Sequence, residues 1–366
     1  MLALSHKREI KAQELEKHCH LEVVFKDTRN KGTGMFLSLF SQKPYTISKY
    51  YTLRAEHRLS EIMRRRIIDI VHIDHLHMAA YGKFLKAHWR VPVVLREHNV
   101  ENVIWERLYQ VQNNPLAKAY AFSQYRKIKG YEKLMCQSLD RILAITMDDQ
   151  KRIMLLDPSI KVSVIPAGVD TDYFYPQAAP EEHHAITFVG SMDWRANIDG
   201  VLWFVDKVLP AIHNKYPQMK LCLVGSNPAK KIRMLRNSFI DVRPNVPDVR
   251  EYMAKAEILI VPLRVGGGMR IKILEALAMK KAVISTSIGC EGIDVKHGED
   301  VLVADSEEEF IKSISLLIEN RDYRQRLGIQ GCNTIQKKYS WEAIAKSIES
   351  NYEDVISEYQ MKNGIS

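Results

Sequence analysis

Short apolar runs alternate along the chain with longer stretches in which apolar residues recur at helical spacing. A short apolar run is typical of a buried strand, and the helical spacing is typical of a helix with one buried face. This alternation predicts parallel strands joined by helices, because two consecutive parallel strands need a long crossover connection. We therefore expect an α/β protein with two Rossmann-like, doubly wound sheets.

Ten segments have the pattern of a buried strand. They are residues 21–25, 70–73, 91–95, 141–144, 162–165, 186–189, 220–224, 258–261, 282–285 and 301–303. Helices are predicted at residues 54–66 and 120–138, and after nearly every strand of the second half. Residues 175–184 contain two prolines and no apolar period, which is typical of a linker.

The two series of strands and helices predict two domains, since a chain of 366 residues exceeds the ~250–300 residues of a single core. The first is expected at residues 1–174 and the second at 185–340, and residues 341–366 are expected to form a helix packing back towards the first. Residues 1–20 are polar with a helical pattern, so no strand is expected before residue 21. A nucleotide-binding domain normally opens with a strand and a glycine turn, so the first domain is expected to lack its first strand.

Composition and charge indicate the cellular location of the protein and the charge of its ligands. The five cysteines are scattered without metal-type spacing, and no apolar run approaches the ~18–20 residues of a membrane span. We expect a cytoplasmic protein, peripheral at the inner face of a membrane. Residues 1–170 carry 28 basic and 18 acidic side chains, a net +10, whereas the rest carries 25 and 26. This asymmetry indicates an anionic ligand or surface at the first half, or serves solubility alone.

A run of three glycines lies between a predicted strand and a predicted helix in the second half. Its backbone N–H groups are unobstructed and lie beside the positive end of the helix dipole, which is typical of a phosphate site. Two cations follow, and then a carboxylate that could accept both hydroxyls of a ribose. A flexible loop with a surface glutamate is the alternative. The residues concerned are Gly266, Gly267, Gly268, Met269, Arg270, Lys272 and Glu275.

In the first half, polar residues follow two predicted strands directly. Glu97, His98 and Asn99 follow the strand at 91–95, and Asp74 and His75 follow the strand at 70–73. Ligands bind at the carboxyl ends of strands in such sheets, so these residues are candidates for a site. The alternative for a lone histidine is a structural, hydrogen-bonded role.

Two other patterns in the first half look functional but are not expected to be. Asp74 and His75 form a dense group with His72 and His77, yet the spacing is not that of two histidines one helical turn apart, so no metal site is expected. Gly32 and Gly34 resemble part of a dinucleotide fingerprint but lack the third glycine, and they are predicted to form a turn.

Several motifs together resemble those of the retaining glycosyltransferases of family 4, which have the two-domain GT-B fold. They lie in the strand ending at Gly190, the segment from Ser191 to Asn197, the strand ending at Gly225, the glycine loop, and residues 164–170. The last is similar to the family's Pro-Asn-Gly-Val-Asp signature, with Ala167 in place of Asn. The resemblance covers nearly the whole chain and is strongest to transferases of bacterial exopolysaccharide and surface-glycan assembly.

The resemblance implies a metal-independent, hexosyltransferase-type enzyme with two domains facing a cleft. It would transfer a sugar, with retention, from a nucleotide sugar to a glycan or lipid-linked acceptor. The nucleotide sugar is a substrate, and no cofactor is expected. Gly190, Ser191 and Asn197 would bind the donor together with the glycine loop. The resemblance places His98 beside the transferred sugar as a catalytic residue, with Asp74, His75, Glu97 and Asn99 on the acceptor side.

Two departures from the family pattern bear on activity. The family commonly has two glutamates separated by seven residues, and Gly267 stands where the first would be. The Arg and Lys that many members carry after the first glycine of the second domain are also absent, so Arg270 and Lys272 are expected to neutralise the leaving diphosphate. With the first strand missing as well, transfer is expected to be weak. A non-catalytic nucleotide-sugar-binding or assembly protein is therefore the first alternative.

The basic first half also predicts contact with an anionic membrane. Its basic residues are interleaved with tyrosines, whose rings favour the membrane interface. The alternatives are a solvated helical face and, from charge alone, a nucleic-acid-binding protein, although no nucleic-acid partner is expected. The residues are Arg54, Arg58, Arg64, Arg65, Arg66, Lys118, Arg126, Lys127, Lys129 and Lys133, with Tyr50, Tyr51, Tyr120, Tyr125 and Tyr131.

Overall fold

The computed structural model describes residues 1–5, 13–112, 114–177, 185–266 and 268–364. The chain divides into two compact units. The first consists of residues 1–165 and 348–366, and the second of residues 166–347. Part of the predicted linker, residues 178–184, lies outside the described residues.

All ten predicted strands form, with ends within two residues of the predicted ones. The strands in chain order are β1 (Leu2–Ser5), β2 (Glu22–Phe25), β3 (Val71–Asp74), β4 (Val93–Glu97), β5 (Arg141–Ala144), β6 (Val162–Val164), β7 (Ala185–Val189), β8 (Lys220–Gly225), β9 (Ile240–Pro244), β10 (Ile258–Val261), β11 (Ala282–Ser285) and β12 (Leu302–Val303).

Helices connect most of these strands, as the apolar spacing predicts. They are α1 (Gln13–Glu16), α2 (Gly32–Ser38), α3 (Tyr45–Ser48), α4 (Leu53–Arg65), α5 (Ala79–His88), α6 (Glu101–Val111), α7 (Pro115–Ser138), α8 (Met147–Leu156), α9 (Arg195–Trp203), α10 (Leu209–Lys215), α11 (Lys230–Arg233), α12 (Arg250–Lys255), α13 (Ile271–Ala278), α14 (Glu307–Glu319), α15 (Arg321–Tyr339) and α16 (Trp341–Asn363). A 3-10 turn, Leu76–Met78, precedes α5, and a π-helical turn, Phe204–Val208, joins α9 to α10.

The longest helix of the first unit, α7, begins where its sequence favours a start. The Asn114 side chain accepts hydrogen bonds from the N–H groups of Leu116 and Ala117, and Pro115 occupies the first helical position. The cap satisfies two backbone donors that lack helical partners, and proline there needs no N–H partner.

The beginning of the chain differs from the prediction. Leu2–Ser5 forms a strand that pairs in parallel with β2, so the expectation of no strand before residue 21 is wrong. The expected weakening of transfer rested partly on that absence and loses this support. The predicted turn at Gly32 and Gly34 is also wrong, because both glycines lie in the first turn of α2.

In the first unit, β3, β4, β5 and β6 form a parallel sheet in chain order. The central strand β4 is buried along its whole length, and its residues pair with both neighbours. Buried apolar side chains from β4, α7 and β5 form one core around this sheet. The ends of β3 and β4 therefore lie side by side on a rigid support.

In the second unit, six parallel strands have the order β12-β11-β10-β7-β8-β9. The chain proceeds outward from β7 through β8 and β9, then returns to the other side of β7 with β10. The order thus reverses between β7 and β10, and ligands of such sheets bind at the carboxyl ends of the strands flanking that point. Two apolar cores support this sheet.

No helix among the described residues is long and apolar enough to cross a membrane.

Candidate functional site

The predicted donor-site residues gather at the point where the strand order of the second sheet reverses. Gly190 follows the last residue of β7, and Gly266 and Gly268 lie in the loop between β10 and α13. Gly267 lies outside the described residues. This placement is the one that parallel sheets use for ligands, although the sequence segments are far apart.

The end of β7 depends on two glycines. A Cβ at Gly225, which has φ of +154°, would lie 1.8 Å from the Gly190 carbonyl oxygen. A Cβ at Gly190 would lie 2.4 Å from Lys272 Nζ and 3.0 Å from Asn197 Nδ2. The absence of a side chain at Gly225 makes room for the Gly190 carbonyl group. The absence of one at Gly190 makes room for the Lys272 ammonium group and the Asn197 amide.

Asn197 and Ser191 join this strand end to α9. The buried Asn197 donates from Nδ2 to the Ser191 carbonyl oxygen at 2.6 Å. The Ser191 hydroxyl donates to Asp193 Oδ1 at 2.6 Å. These bonds fix the loop after β7, and the Ser191 side chain stays exposed for a ligand.

Lys272 extends from the first turn of α13 to that loop. Its Nζ donates to Asn197 Oδ1 at 3.0 Å and lies 4.4 Å from the centre of the Phe188 ring. Burial, reinforced by the charge of Arg270 and opposed by Glu275, lowers the pKa of Lys272 to about 7. A negatively charged ligand beside Nζ would stabilise the protonated form of Lys272. Its pKa would then rise back towards the ordinary value of a lysine.

Arg270 is folded into the glycine loop. It is only 5 % exposed, and its Nη1 donates to the Gly268 carbonyl oxygen at 2.8 Å. A Cβ at Gly266 would lie 2.6 Å from Nη2, so glycine leaves the space that the guanidinium fills. The guanidinium carbon also lies 5.6 Å from the centre of the Trp194 ring. Arg270 thus holds the shape of the loop as well as supplying charge.

Glu275 and Met269 differ in how far they are available to a ligand. Glu275 is half-buried on α13, and burial raises its pKa against the opposing charge of Lys272. Met269 packs against one of the apolar cores of the second unit. Both assignments as donor contacts remain predictions, and the packing of Met269 also gives it a structural role.

In the first unit, the ends of β3 and β4 bring Asp74 and His98 together. His98 Nε2 lies 2.7 Å from Asp74 Oδ1. Burial raises the pKa of Asp74, but the hydrogen bond from His98 and the charges of His98, His75 and His72 together leave that pKa below its ordinary value. An ionised carboxylate can only accept, so Nε2 donates the proton, and in the neutral imidazole Nδ1 is left as an acceptor.

His75 completes this group through an unusual backbone conformation. Its φ of +70° is combined with a ψ of 142°, outside the left-handed helical region in which most non-glycine residues with positive φ lie. The His75 ring stacks on the His98 ring with centres 4.2 Å apart. Asn99 is exposed next to them. Such strained residues cluster at functional sites, so the geometry supports a site here.

Glu97 does not fit its predicted place on the acceptor side. The residue is 1 % exposed, and its Oε1 accepts from Cys136 Sγ at 3.5 Å. Burial and the neighbouring Glu132 raise the pKa of Glu97 well above its ordinary value. Glu97 is thus enclosed between β4 and α7, and its buried carboxyl group is not available to an acceptor in solvent.

Glu132 on α7 was missed in the sequence and supports the loop that carries His98 and Asn99. Its carboxylate accepts from the N–H of Glu101 at 2.7 Å, from the N–H of Asn102 at 3.1 Å, and from Asn102 Nδ2. Burial raises the pKa of Glu132 to about 7, although these hydrogen bonds lower it. No short motif links Glu132 to this loop, which lies about thirty positions earlier.

A metal ion has one geometrically suitable position among the described residues. Ligand atoms of Asp74, His75 and His98 lie within 4.8 Å of one another. The denser sequence group is split, because His72 Nδ1 pairs instead with the Tyr352 hydroxyl at 2.6 Å and His77 lies against Tyr50. Asp74 Oδ1 already accepts a hydrogen bond from His98 Nε2, so an ion bound through these two atoms would have to displace it.

Family models match most of the chain. Residues 13–173 match the model described as Glycosyltransferase Family 4, and residues 183–320 match the one described as Glycosyl transferases group 1. The first match contains the group formed by Asp74, His75 and His98. The second contains Gly190, Lys272 and the glycine loop.

Two relatives show where similar sequences occur. An uncharacterized 44.6 kDa protein in the cps region of Klebsiella pneumoniae is 27 % identical over 265 residues, which is 70 % of this chain and 67 % of that protein. The D-inositol 3-phosphate glycosyltransferase of Corynebacterium efficiens is 21 % identical and covers 78 % of this chain and 71 % of its own length.

Solved structures with the same fold are glycosyltransferases of the GT-B class. A glycosyltransferase from Rickettsia africae has a TM-score of 0.67 at 16 % identity, covering 97 % of this chain and 90 % of its own. The Anabaena protein HepE, solved in complex with UDP, has a TM-score of 0.66 at 12 % identity, covering 96 % and 92 %. The predicted GT-B architecture is confirmed.

Proposed function

We propose, since this chain belongs to the family 4 glycosyltransferases of the GT-B fold, that it moves a sugar from a nucleotide-sugar donor to a glycan or lipid-linked acceptor with retention. The observation that carries the proposal is the arrangement at the strand-order reversal of the second sheet. There a glycine loop, a helix start and two basic residues converge beside a half-buried carboxylate.

The second unit would bind the donor. The glycine loop and the N-terminal end of α13 offer N–H groups and a positive dipole end to the diphosphate. Lys272 would be protonated on binding, because an adjacent diphosphate raises an ammonium pKa that burial has lowered to about 7. Glu275 would accept hydrogen bonds from the ribose, as the family resemblance implies.

Bond breaking would then be favoured by charge already in place. As the bond between the anomeric carbon and the diphosphate oxygen lengthens, negative charge grows on the diphosphate, and fixed donors stabilise it without reorganising. Lys272 and Arg270 would supply that stabilisation. The acceptor hydroxyl would attack from the side that the diphosphate leaves, and retention follows from that geometry.

The first unit would supply the groups that meet the sugars. With Nε2 of His98 donating to Asp74, Nδ1 is the atom free to accept from a sugar hydroxyl. Asp74 would act as a positioning residue for the imidazole, and His75 would hold its ring by stacking. No metal is proposed as a cofactor, so transfer should persist after treatment with a chelator.

Assembly of a surface polysaccharide is the setting that one of the two relatives supports. The Klebsiella pneumoniae relative is encoded in a cps region, and a lipid-linked glycan would suit the positive charge of the first unit. The second candidate is a non-catalytic nucleotide-sugar-binding protein. It is favoured by Gly267, which removes a carboxylate from the loop.

A panel of nucleotide sugars distinguishes these two functions. Release of nucleoside diphosphate from one member, with formation of a glycoside of unchanged anomeric configuration once an acceptor is added, is the result expected for the transferase. Saturable binding with no release, with or without acceptors, would favour the binding protein. No binding of any member would contradict both.

A further inference from the structure

Helix α2 and the residues just after it expose an unusual cluster of apolar side chains. Met35, Phe36, Leu37, Leu39 and Phe40 are between 37 % and 78 % exposed. Exposed apolar residues are normally scattered singly, whereas a contiguous patch marks a surface that meets a partner. Phe36 and Phe40 contact each other edge to face, with ring centres 5.6 Å apart.

This apolar surface is held firmly in place from behind. Lys127 on α7 donates to the carbonyl oxygens of Ser38 and Leu39 at 2.7 Å and 3.3 Å. Gln124 Nε2 donates to the Ser38 hydroxyl at 3.3 Å, and Gln124 Oε1 accepts from the N–H of Tyr45 at 3.0 Å. Polar contacts thus fix the inner side of α2, so its outward apolar side is a stable feature of the fold.

The patch continues onto α7. Phe122 is 42 % exposed, and a shallow groove lined by Leu39, Phe40, Phe122, Arg126 and Lys127 separates the two helices. Apolar and basic side chains therefore alternate across one surface. We call this surface the α2–α7 patch, defined by residues 35–43, Phe122, Arg126 and Lys127.

The charge around the α2–α7 patch has a single sign over two long stretches of sequence. Residues 28–55 and residues 107–131 each contain five basic residues and no Asp or Glu. Acidic residues occur only at the borders: Asp27 pairs with Arg29, and Glu106 accepts from the Tyr125 hydroxyl at 3.0 Å. A partner of the patch must therefore be negatively charged as well as apolar.

We propose that the α2–α7 patch docks the protein onto an anionic lipid bilayer. Phe36, Leu37 and Phe40 would enter the region between headgroups and acyl chains, and the basic side chains around them would meet the lipid phosphates. A nucleic acid satisfies the charge but not the leucine and methionine side chains. A neutral protein surface satisfies the apolar side chains but not the charge.

The surface differs from the one that the sequence indicated. The tyrosines expected at the membrane interface are all partly buried, and Tyr51, for example, stacks on the buried Tyr81 ring. Phenylalanine and leucine face outward instead. This inference deepens the proposed function and rests on it for its purpose, since a lipid-linked acceptor is presented at a membrane.

Vesicle binding by the full chain tests the proposal without donor or acceptor. The probes are vesicles of phosphatidylcholine alone and of phosphatidylcholine with about one third phosphatidylglycerol, a content high enough for an anionic surface potential. We expect binding to the anionic vesicles that weakens with added salt, because basic residues near such a surface are screened by ions. Phe36→Ser with Phe40→Ser should weaken binding at least about tenfold, since each substitution removes apolar surface that the ring would bury in the bilayer.

Matched variants separate the apolar and the charged contributions. Leu155→Ser removes a side chain that is 84 % exposed on α8 of the same unit and should leave binding unchanged. Lys43→Gln with Arg126→Gln should weaken binding to anionic vesicles by about thirtyfold, because two basic residues together contribute about 2 kcal/mol. Lys151→Gln, an exposed lysine on α8, is its control.

A tryptophan at the patch reports insertion directly. The fluorescence that Phe36→Trp adds should shift to shorter wavelength with anionic vesicles, whereas that added by Leu155→Trp should not. Equal binding to neutral vesicles, or equal losses in the control variants, would overturn the proposal. An absence of vesicle binding would also overturn it, and salt-dependent binding to a nucleic acid, or a dimer that Phe36→Ser abolishes, would then identify a different partner of the patch.

The outcome is separable from that of the proposed function. Nucleotide-sugar binding without vesicle binding would overturn the docking surface and leave the transferase standing. Vesicle binding without any donor binding would do the reverse.

Discussion

At the residue scale, the surroundings of Lys272 strongly affect its protonation state. It is partly buried beside Phe188, has one hydrogen bond to Asn197, and occupies space left by Gly190. Burial and the charge of Arg270 lower its pKa to about 7, so near neutral pH it is close to losing its proton. The affinity of this site for anions should therefore depend on pH near neutrality, where an ordinary lysine stays protonated.

The pH dependence of nucleoside diphosphate binding tests this state. Binding should weaken as the pH rises through about 7 to 9, because the free protein must then take up a proton when the anion binds. Lys272→Arg keeps the charge at every pH and should flatten that dependence, while Lys272→Met should bind weakly throughout. Calorimetric titration at several pH values measures it, and a wild-type affinity independent of pH would contradict the account.

Stability should change with pH for the same reason. The pKa of Lys272 is lower in the folded than in the unfolded chain, so the unfolded chain binds more protons between about 7 and 10.5. The free energy of unfolding therefore gains a contribution that rises with pH across this window and is constant below it. Lys272→Met should remove that rise in urea titrations, and an unchanged slope would show that Lys272 titrates normally.

Glu275 is predicted to accept hydrogen bonds from the ribose of the donor. Glu275→Gln keeps the shape and removes the charge, so nucleotide binding should weaken by about 1.5–3 kcal/mol, typical of a hydrogen bond to a charged group. Glu251→Gln, an exposed residue on α12, is the control. Unchanged nucleotide affinity in Glu275→Gln would remove Glu275 from the donor site.

Arg270 tests whether charge acts in the transition state. If it balances charge that develops on the diphosphate, Arg270→Ala should lower kcat more than it raises KM. Because its guanidinium also holds the Gly268 carbonyl, Arg270→Lys serves to retain charge without that fork-shaped contact. An effect confined to KM in both variants would make Arg270 a ground-state binder only.

At the scale of elements, strands were predicted well where they are buried on both faces. The runs in β7 and β10 are fully buried, and a short run in which all or nearly all residues are apolar is a strong signal. The edge strand β9, with the sequence Ile-Asp-Val-Arg-Pro, was missed because polar residues interrupt it. The strand β4 begins two residues later than predicted, after Pro92, which has no N–H for the ladder.

The candidate site was predicted only as far as local motifs extend. The glycine loop with Arg270, Lys272 and Glu275 is contiguous and could be recognised. The contact between Lys272 and Asn197 joins residues 75 positions apart, and it depends on the strand order, which the sequence does not display. Trp194 lies in the segment from Ser191 to Asn197 that carries the family resemblance, but its place beside Arg270 could not be predicted.

The support of the loop after β4 by Glu132 leads to a prediction at this scale. Burial raises the pKa of Glu132 to about 7, so between about 4.5 and 7 the folded chain binds more protons than the unfolded chain. The free energy of unfolding should fall as the pH rises through this window. Glu132→Gln should reduce that slope, as measured by urea unfolding at pH 5 and pH 7.5.

The same variant separates positioning from stability. At pH 7.5 Glu132→Gln replaces the carboxylate that caps the start of α6, and the loop holding His98 should become less ordered. A fall in kcat that exceeds the effect of equally destabilising core variants would support this positioning role. Equal effects in both would reduce Glu132 to a stability residue.

At the scale of the whole molecule, charge and chemistry are divided between the halves of the chain. Residues 1–170 hold the positive excess and the Asp74–His98 pair, whereas the glycine loop lies in the nearly neutral remainder. The second unit would therefore bind anions through a few neighbouring groups in one loop and at one helix start, and not through its net charge. The net charge of the first unit acts over a broad surface instead.

The central claim is that the second unit binds a nucleotide sugar at the glycine loop. Thermal unfolding of the full chain with a panel of nucleoside diphosphates and their sugars tests it most directly, because a ligand at 100 times its Kd stabilises the folded state by about 2.7 kcal/mol. The account predicts that one nucleotide sugar and its diphosphate raise the unfolding temperature by several degrees, and that Glu275→Gln reduces the shift. A panel that leaves the wild type unchanged, or shifts wild type and Glu275→Gln equally, would contradict it.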